Sequence, residues 1–118
     1  MALRCLIVDD NAAFLQEAAL RLERDGLVIA GVASNTREAL ERAQELQPDL
    51  ALVDVWLGSE SGLELARQLV DAGATTVILT STHAETDLTE LIEDAQVAGF
   101  VPKTDLSASA IRRLMHSV

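Results

Sequence analysis

The sequence contains little of several residue types on which some classes of protein depend. One cysteine among 118 residues excludes an internal disulfide framework and a cysteine-rich zinc site. Basic residues are also scarce, because 9 Lys and Arg stand against 19 Asp and Glu, a formal net charge of −10. This acidic balance argues against direct binding of nucleic acid or of an anionic membrane by this chain.

Long apolar runs are missing as well, since none approaches the roughly 20 residues that a membrane-spanning helix requires. The start of the chain, Met1-Ala2-Leu3-Arg4, has neither the basic region nor the apolar core of a signal peptide. Apolar residues make up 49% of the chain and charged residues 24%, which is a globular composition. We therefore expect a soluble, cytoplasmic protein of one domain, residues 1–118, with no membrane contact.

What the sequence does contain is a regular alternation of two kinds of apolar segment. Short runs rich in β-branched residues predict buried strands. The longer segments after them space their apolar residues for one face of a helix. Strands are expected at 3–8, 27–33, 50–55, 75–80 and 99–102. The helical faces are expected at Phe14, Ala18 and Leu22; Ala39, Ala43 and Leu46; Leu63, Ala66 and Val70; Leu88, Leu91, Ile92 and Ala95; and Leu106, Ala110, Ile111 and Leu114.

This order, strand then helix five times, predicts an α/β fold with one doubly wound, five-stranded parallel sheet. The length suits the flavodoxin-like (βα)5 arrangement with strand order 2-1-3-4-5. Capping residues agree with the helix starts: Asn11 for the first, Asn35 or Thr36 for the second, and Ser107 or Asp105 for the last. In such a sheet, ligands bind beyond the carboxyl ends of the strands, where the strand order reverses.

Polar side chains stand at the carboxyl ends of four of the five predicted strands. Asp9 and Asp10 follow the first strand, Asp54 ends the third, Thr80 ends the fourth and Lys103 follows the fifth. Each of these alone is an ordinary turn, cap or solvated residue. Because strands one and three are neighbours in the predicted order, their three carboxylates would converge. Three carboxylates, one hydroxyl and one ammonium suit a Mg²⁺ site that handles a phosphoryl group.

With these residues in place, the chain resembles the receiver domain of two-component response regulators, over essentially all of its length. The resemblance rests on Asp9-Asp10, on Asp54 with Gly62 eight positions later, on Thr80 and on Phe100-Val101-Pro102-Lys103. One departure is Thr104, where many receivers have proline after the lysine. No departure removes a residue of the expected site.

The resemblance implies a role for each carboxylate. Asp54 would be the phosphoacceptor, which attacks a phosphoryl group and becomes an acyl phosphate. Asp10 would bind Mg²⁺ directly and Asp9 mainly through water. The main-chain carbonyl of Trp56, together with Asp54, would complete the protein ligands of the metal. The protein would then catalyse its own phosphorylation and dephosphorylation without turning over a metabolite.

The resemblance also implies how the phosphoryl group is held and sensed. Thr80 would hydrogen-bond the phosphoryl oxygens with help from the Ser81 amide, and Lys103 would pair with another oxygen. Phe100 would be the switch aromatic, which turns inward when Thr80 moves. The surface of the fourth helix, fifth strand and fifth helix would change as a result.

Partners follow from the same resemblance. A sensor histidine kinase would supply the phosphoryl group, and phosphorylation would favour a homodimer. The segments 61–65 and 98–103 are similar to those of NarL/LuxR-type regulators, which points to transcription regulation through a C-terminal DNA-binding domain absent from this chain. The acidic residues between positions 85 and 94 form either a solvated face or a surface that selects a basic partner.

Three other functions were weighed. A haloacid-dehalogenase-type phosphohydrolase needs a second aspartate two residues after Asp54, where this chain has Trp56. A flavin-binding protein needs a hydroxyl-rich phosphate loop where this chain has Asp9 and Asp10, and a glycine-rich nucleotide loop is missing. A receiver-like interaction domain that works without phosphorylation remains the alternative. The single thiol, Cys5 in the first strand, is expected to be a buried apolar side chain.

Overall fold

Five parallel strands form one sheet in the computed structural model, which describes residues 3–73, 75–81 and 96–116. The strands lie in the order β2-β1-β3-β4-β5, and every neighbouring pair is parallel. This confirms the predicted flavodoxin-like strand order. The five strands are β1 (Arg4–Val8), β2 (Val28–Ala33), β3 (Leu50–Asp54), β4 (Thr76–Ser81) and β5 (Gly99–Pro102).

Four helices and one short hairpin join the strands in the described part of the chain. The helices are α1 (Ala12–Arg24), α2 (Thr36–Leu46), α3 (Gly62–Asp71) and a C-terminal helix (Ala108–His116), which follows a 3-10 turn at Lys103–Asp105. The hairpin pairs Trp56–Leu57 with Glu60–Ser61 and was not predicted. The predicted fourth helix, with apolar positions 88–95, lies outside the described residues. Among the helices that are described, none has the length and apolar character to cross a membrane.

The helix starts follow the capping prediction and resolve its two open choices. Asn11, Asn35 and Ser107 each accept a hydrogen bond from the backbone N–H three residues later, at 3.1, 2.9 and 3.0 Å. The caps are therefore Asn35 rather than Thr36, and Ser107 rather than Asp105. Each cap satisfies one of the N–H groups that a helix start leaves without a partner inside the helix.

The core lies on both faces of the sheet, because successive side chains along a strand point to opposite sides. The first face packs against α1 and the C-terminal helix through Cys5, Ile7, Leu50, Leu52, Ile78 and Val101. The second face packs against α2 and α3 through Leu6, Val8, Ala51, Val53, Val77 and Leu79. Cys5 is completely buried, and burial raises the pKa of its thiol to about 12. The prediction that Cys5 is a buried apolar side chain is confirmed.

The prediction that every strand is buried on both faces is wrong for β2. It forms one edge of the sheet, and its Val28 and Val32 side chains are 43% and 39% exposed. The reason is that an edge strand has a neighbour on one side only, so the covering helices leave its outer positions open. β5 forms the other edge, where Pro102 is tolerated although it lacks an N–H.

Candidate functional site

The strand ends bring four polar side chains to one face of the sheet. Asp54 lies directly opposite Thr80 in the pairing of β3 with β4. Asp9 follows β1 immediately, and Lys103 follows β5 immediately. Each of these residues stands two positions after a core residue of the first face, and for Asp54 and Thr80, which lie within strands, the alternation directs the side chain to that side. Those core residues are Ile7, Leu52, Ile78 and Val101.

Lys103 is paired with two carboxylates at this edge. Its Nζ lies 2.5 Å from Asp9 Oδ2 and 3.2 Å from Asp54 Oδ2. The Asp9 side chain is completely buried, and those of Asp54 and Lys103 are 9% and 12% exposed. A buried charge is costly unless it is paired, and one ammonium here faces two carboxylates. Lys103 is also the only lysine in the sequence, a signal of special placement that sequence reasoning did not use.

Backbone amides fix the remaining oxygen of each buried carboxylate. Asp9 Oδ1 accepts a hydrogen bond from the Asn11 N–H at 2.8 Å, and Asp54 Oδ1 accepts one from the Trp56 N–H at 3.1 Å. Both are contacts to the amide two residues later, a local geometry that aspartate favours at turns. Each carboxylate is therefore held at one oxygen and offers the other to the site.

The electrostatics leave room for a further cation. The completely buried Asp9 side chain has the Lys103 ammonium as the partner of its Oδ2, and it shares that ammonium with Asp54. The exposed Asp10 brings a third carboxylate, and one oxygen from each of Asp9, Asp10 and Asp54 lies within 4.8 Å of the other two. Hard carboxylate oxygens are the ligands that Mg²⁺ takes. Three carboxylates that share a single ammonium keep an excess of negative charge, which fits a divalent cation.

The ionisation of the site follows from burial and charge. Burial raises the pKa of Asp54, the Trp56 amide lowers it and the Asp9 charge raises it further, so the pKa lies above its usual value. Burial lowers the pKa of Lys103, but the contacts with Asp9 and Asp54 outweigh it and raise that pKa. Lys103 therefore stays charged at neutral pH. The raised pKa of Asp54 therefore reflects first the burial of this carboxylate and then the negative charge of Asp9 beside it.

Gly62 explains how the chain can turn back directly below Asp54. Its N–H donates to the Val55 carbonyl at 2.8 Å as α3 begins. A Cβ at this position would overlap the Asp54 carbonyl oxygen and lie 2.7 Å from its carbonyl carbon and 2.9 Å from the Val55 Cα. Only glycine permits this approach. This backbone contact is the physical reason for a glycine eight positions after Asp54.

The structure brings only some of the predicted site residues together. A cavity of about 360 Å³ opens at this edge, and Asp9, Asp10, Asp54, Trp56 and Lys103 line it with Asn11 and Gly58. The Trp56 side chain at its rim is 59% exposed.

Three further predicted residues, Thr80, Ser81 and Phe100, are not part of the lining of this cavity. Thr80 is buried, and its carbonyl accepts from the Val55 N–H at 2.9 Å. Phe100 is half-buried, stands opposite Leu79 and packs on the second face of the sheet. Thr80 lies two residues after Ile78 and therefore points to the first face. Ser81 is buried at the end of β4. Thr82 and the acidic segment 85–94 lie outside the described residues.

One contact of the site and one contact of the neighbouring hairpin were missed by sequence reasoning. The Phe14 ring lies over Lys103, with Nζ 4.3 Å from the ring centroid. Phe14 had been assigned only to the core face of its helix. In addition, Glu60 Oε1 in the hairpin accepts a hydrogen bond from the Thr36 N–H at 2.8 Å, at the start of α2. The available signal for Phe14 was its place in the first turn of a helix that begins at the site.

Comparisons with known proteins agree with this arrangement. A protein-glutamate methylesterase/protein-glutamine glutaminase from Alkalilimnicola ehrlichii is 31% identical over 106 residues, which are 87% of this chain and 27% of that protein. A putative transcriptional regulator from Pseudomonas aeruginosa is 39% identical over 80 residues, 68% of this chain and 39% of that protein. The chain therefore spans less than half the length of these relatives.

A solved structure and a family model complete the comparison. The structure is a response regulator from Burkholderia pseudomallei with a phosphorylated aspartic acid, a calcium ion and citrate. It is 26% identical, and the match covers 94% of this chain and 65% of that one with a TM-score of 0.82. The model described as response regulator receiver domain matches residues 5–115. This chain belongs to the response regulator receiver domain family.

Proposed function

We propose that the chain, over residues 1–118, is a phosphorylation-dependent switch of a two-component system. Asp54 accepts a phosphoryl group from a sensor histidine kinase in the presence of Mg²⁺. One observation carries the proposal: two buried carboxylates, Asp9 and Asp54, share a single ammonium beside the third carboxylate of Asp10. The phosphorylated aspartic acid of the Burkholderia pseudomallei relative supports it.

Asp9, Asp10, Asp54 and the main-chain carbonyl of Trp56 would hold the Mg²⁺. The ion supplies positive charge next to the phosphoryl oxygens when it is bound. The chain itself contributes a fixed carboxylate, because Asp54 Oδ1 is held by the Trp56 N–H while Oδ2 faces Lys103. A fixed nucleophile and local positive charge are what phosphoryl transfer requires of a protein.

In the transfer step, an Asp54 carboxylate oxygen forms a bond to phosphorus as the bond from phosphorus to the histidine nitrogen of the kinase breaks. The electron pair of that bond leaves with the imidazole. Lys103 then pairs with a phosphoryl oxygen instead of the Asp54 carboxylate. Thr80 is placed next to Asp54 by the strand register and donates its hydroxyl to another phosphoryl oxygen, with the Ser81 amide beside it.

We propose that the effect of phosphorylation is transmitted from the site to the surface through the pairing of β4 with β5. Thr80 stands opposite Val101, and the preceding pair is Leu79 with Phe100. A shift of Thr80 toward the phosphoryl group would therefore move β5. The Phe100 side chain, which β5 carries on the opposite face of the sheet, would move with it. The affected surface includes β5, the C-terminal helix and the predicted fourth helix. A Phe100→Ala chain whose partner binding still depended fully on phosphorylation would contradict this route.

The larger relatives suggest what the switch controls. They are a putative transcriptional regulator and a methylesterase/glutaminase, and the matched region is the smaller part of each. An output domain for DNA binding, together with a homodimer that forms on phosphorylation, is the expected setting. This domain would not bind nucleic acid itself, since its net charge is −10.

The proposal is tested by intact mass after incubation with Mg²⁺ and acetyl phosphate. The expected result is an increase of one phosphoryl group that is lost in Asp54→Asn and in excess chelator. A folded native chain that binds Mg²⁺ but gains no mass would overturn the proposal. A phosphorylation-independent interaction domain would then be the better assignment.

A further inference from the structure

Lys103 has a third neighbour besides its two carboxylates. The Nζ atom lies 4.3 Å from the centroid of the Phe14 ring, within the distance of a cation–π contact. The Lys103 side chain is only 12% exposed. The ammonium is therefore enclosed by Asp9, Asp54 and the face of one aromatic ring.

We propose that Phe14 is a positioning residue that holds the Lys103 ammonium at the site for phosphoryl transfer to Asp54. This inference rests on the proposed function. Phe14 does not touch the reacting atoms in this assignment, and it acts through the cation that does.

A lysine side chain is flexible, and the Phe14 ring would restrict where its ammonium lies. The ammonium sits on a four-carbon stem and can turn away into water. When Asp54 becomes an acyl phosphate, Lys103 must leave the Asp54 oxygen and meet a phosphoryl oxygen nearby. An aromatic face attracts a cation over its whole surface, so it tolerates this short movement. Unlike a further carboxylate, it adds no negative charge to a site that already has three.

The fold fixes the ring relative to the carboxylates through two hydrogen bonds. The Asn11 N–H donates to Asp9 Oδ1 at 2.8 Å, and the Asn11 side chain accepts from the Phe14 N–H at 3.1 Å. The same short turn therefore places both Asp9 and the ring that contact Lys103. Phe14 also packs against the core of the first face, so an experiment must separate its packing from its ring.

Three single variants make that separation. Phe14→Leu removes the ring and keeps most of the apolar volume, whereas Phe14→Tyr keeps the ring. Leu15→Val is the matched control, since Leu15 is the next residue of α1 and is buried in the same core. The measured quantity is the initial rate of adduct formation with Mg²⁺ and acetyl phosphate. We expect Phe14→Leu to be about tenfold slower and the other two to stay within about twofold of the native rate.

A double variant distinguishes a role through Lys103 from a general structural role. In a Lys103→Met background no cation remains for the ring to hold, so Phe14→Leu should lower the residual rate no further. An equal fold-loss in both backgrounds would overturn the inference, as would a native rate in Phe14→Leu alone.

The contact has a readout that does not depend on phosphorylation. Because Lys103 is the only lysine, labelling lysine with ¹³C at Cε gives one NMR signal from this site. The ring face should shift the attached protons upfield from those of free lysine, in the native and Phe14→Tyr chains but not in Phe14→Leu. A native signal at the position of free lysine would overturn the inference.

The failures of the two proposals are separable. A native chain that takes no phosphoryl group overturns the proposed function, and this inference falls with it. A native chain that is phosphorylated at the same rate as Phe14→Leu overturns this inference alone.

Discussion

The two ends of the same sheet use aspartate in opposite ways. At the amino end, Asp49 precedes β3 and accepts the Arg4 N–H at 2.9 Å, while its own N–H donates to the Arg4 carbonyl at 2.9 Å. At the carboxyl end of the same strand, Asp54 has one backbone donor and otherwise faces an ammonium and two further carboxylates. Asp49 is exposed and Asp54 is buried.

The contrast shows that the balance of charge around the aspartates, rather than residue type, distinguishes the two ends of the strand. The Arg4 guanidinium completes the amino end by donating to the Gln47 carbonyl at 3.0 Å. The carboxyl end sets three negative charges against one positive. Buried charges are costly unless they are paired, so a cluster with an excess of negative charge indicates a place where a cation binds.

The largest expected effect separates Asp54 from Asp49. Asp54→Asn should abolish the phosphoryl adduct, because an amide is neither a competent nucleophile nor a ligand for a hard cation. Asp49→Asn should form the adduct at the native rate, since Asp49 contacts only backbone at the opposite end. Intact mass against time measures both. Loss of the adduct in Asp49→Asn in a folded chain would break the distinction between the two ends.

The next largest effect concerns the backbone at each end of α3. Gly62→Ala forces a Cβ into the Asp54 carbonyl and should lower the free energy of unfolding by at least about 3 kcal/mol. Gly73 lies at φ +78, and an added Cβ there would meet none of the described residues within 4 Å. Gly73→Ala should therefore lower the free energy of unfolding by about 1–2 kcal/mol, because a residue with a Cβ is strained in the left-handed backbone conformation.

Urea unfolding measures both glycine variants, and circular dichroism checks that each is folded at the start. Equal losses of unfolding free energy in the two variants would mean that the backbone around Gly62 can move away from the Asp54 carbonyl at little cost. The Gly62 effect sharpens the comparison, because it places a backbone constraint directly beside Asp54.

Stabilisation by Mg²⁺ comes third. If the ion binds the folded chain alone, a concentration 100 times its Kd should raise the free energy of unfolding by about 2.7 kcal/mol. Asp10→Asn should remove most of this gain by removing a ligand charge. Asp10 is exposed, so its loss should change stability without Mg²⁺ by less than about 0.5 kcal/mol. If Mg²⁺ raised the free energy of unfolding of Asp10→Asn as much as that of the native chain, the ion would bind elsewhere.

The sequence predicted the sheet because the strands and helices differ in apolar spacing and the caps mark the helix starts. It predicted the convergence of Asp9, Asp54 and Lys103 because parallel strands end at one edge. It did not predict the exposed valines of β2, because an apolar run has the same sequence pattern whether its strand lies at the centre or at the edge of a sheet. The contact of Phe14 with Lys103 joins residues that are far apart in the chain, and its only signal in the sequence is that Phe14 lies in the first turn of the helix after Asp9 and Asp10.

The smallest expected effect returns to Asp49. Asp49→Ala removes the acceptor of the Arg4 N–H, but water can replace it at an exposed position, so the loss in free energy of unfolding should be about 1 kcal/mol. The Mg²⁺ gain should stay the same, because no charge near the site has changed. Urea unfolding with and without Mg²⁺ measures both quantities. A changed Mg²⁺ gain would mean that the two ends of β3 are coupled, and the amino end would then be part of the switch rather than its support.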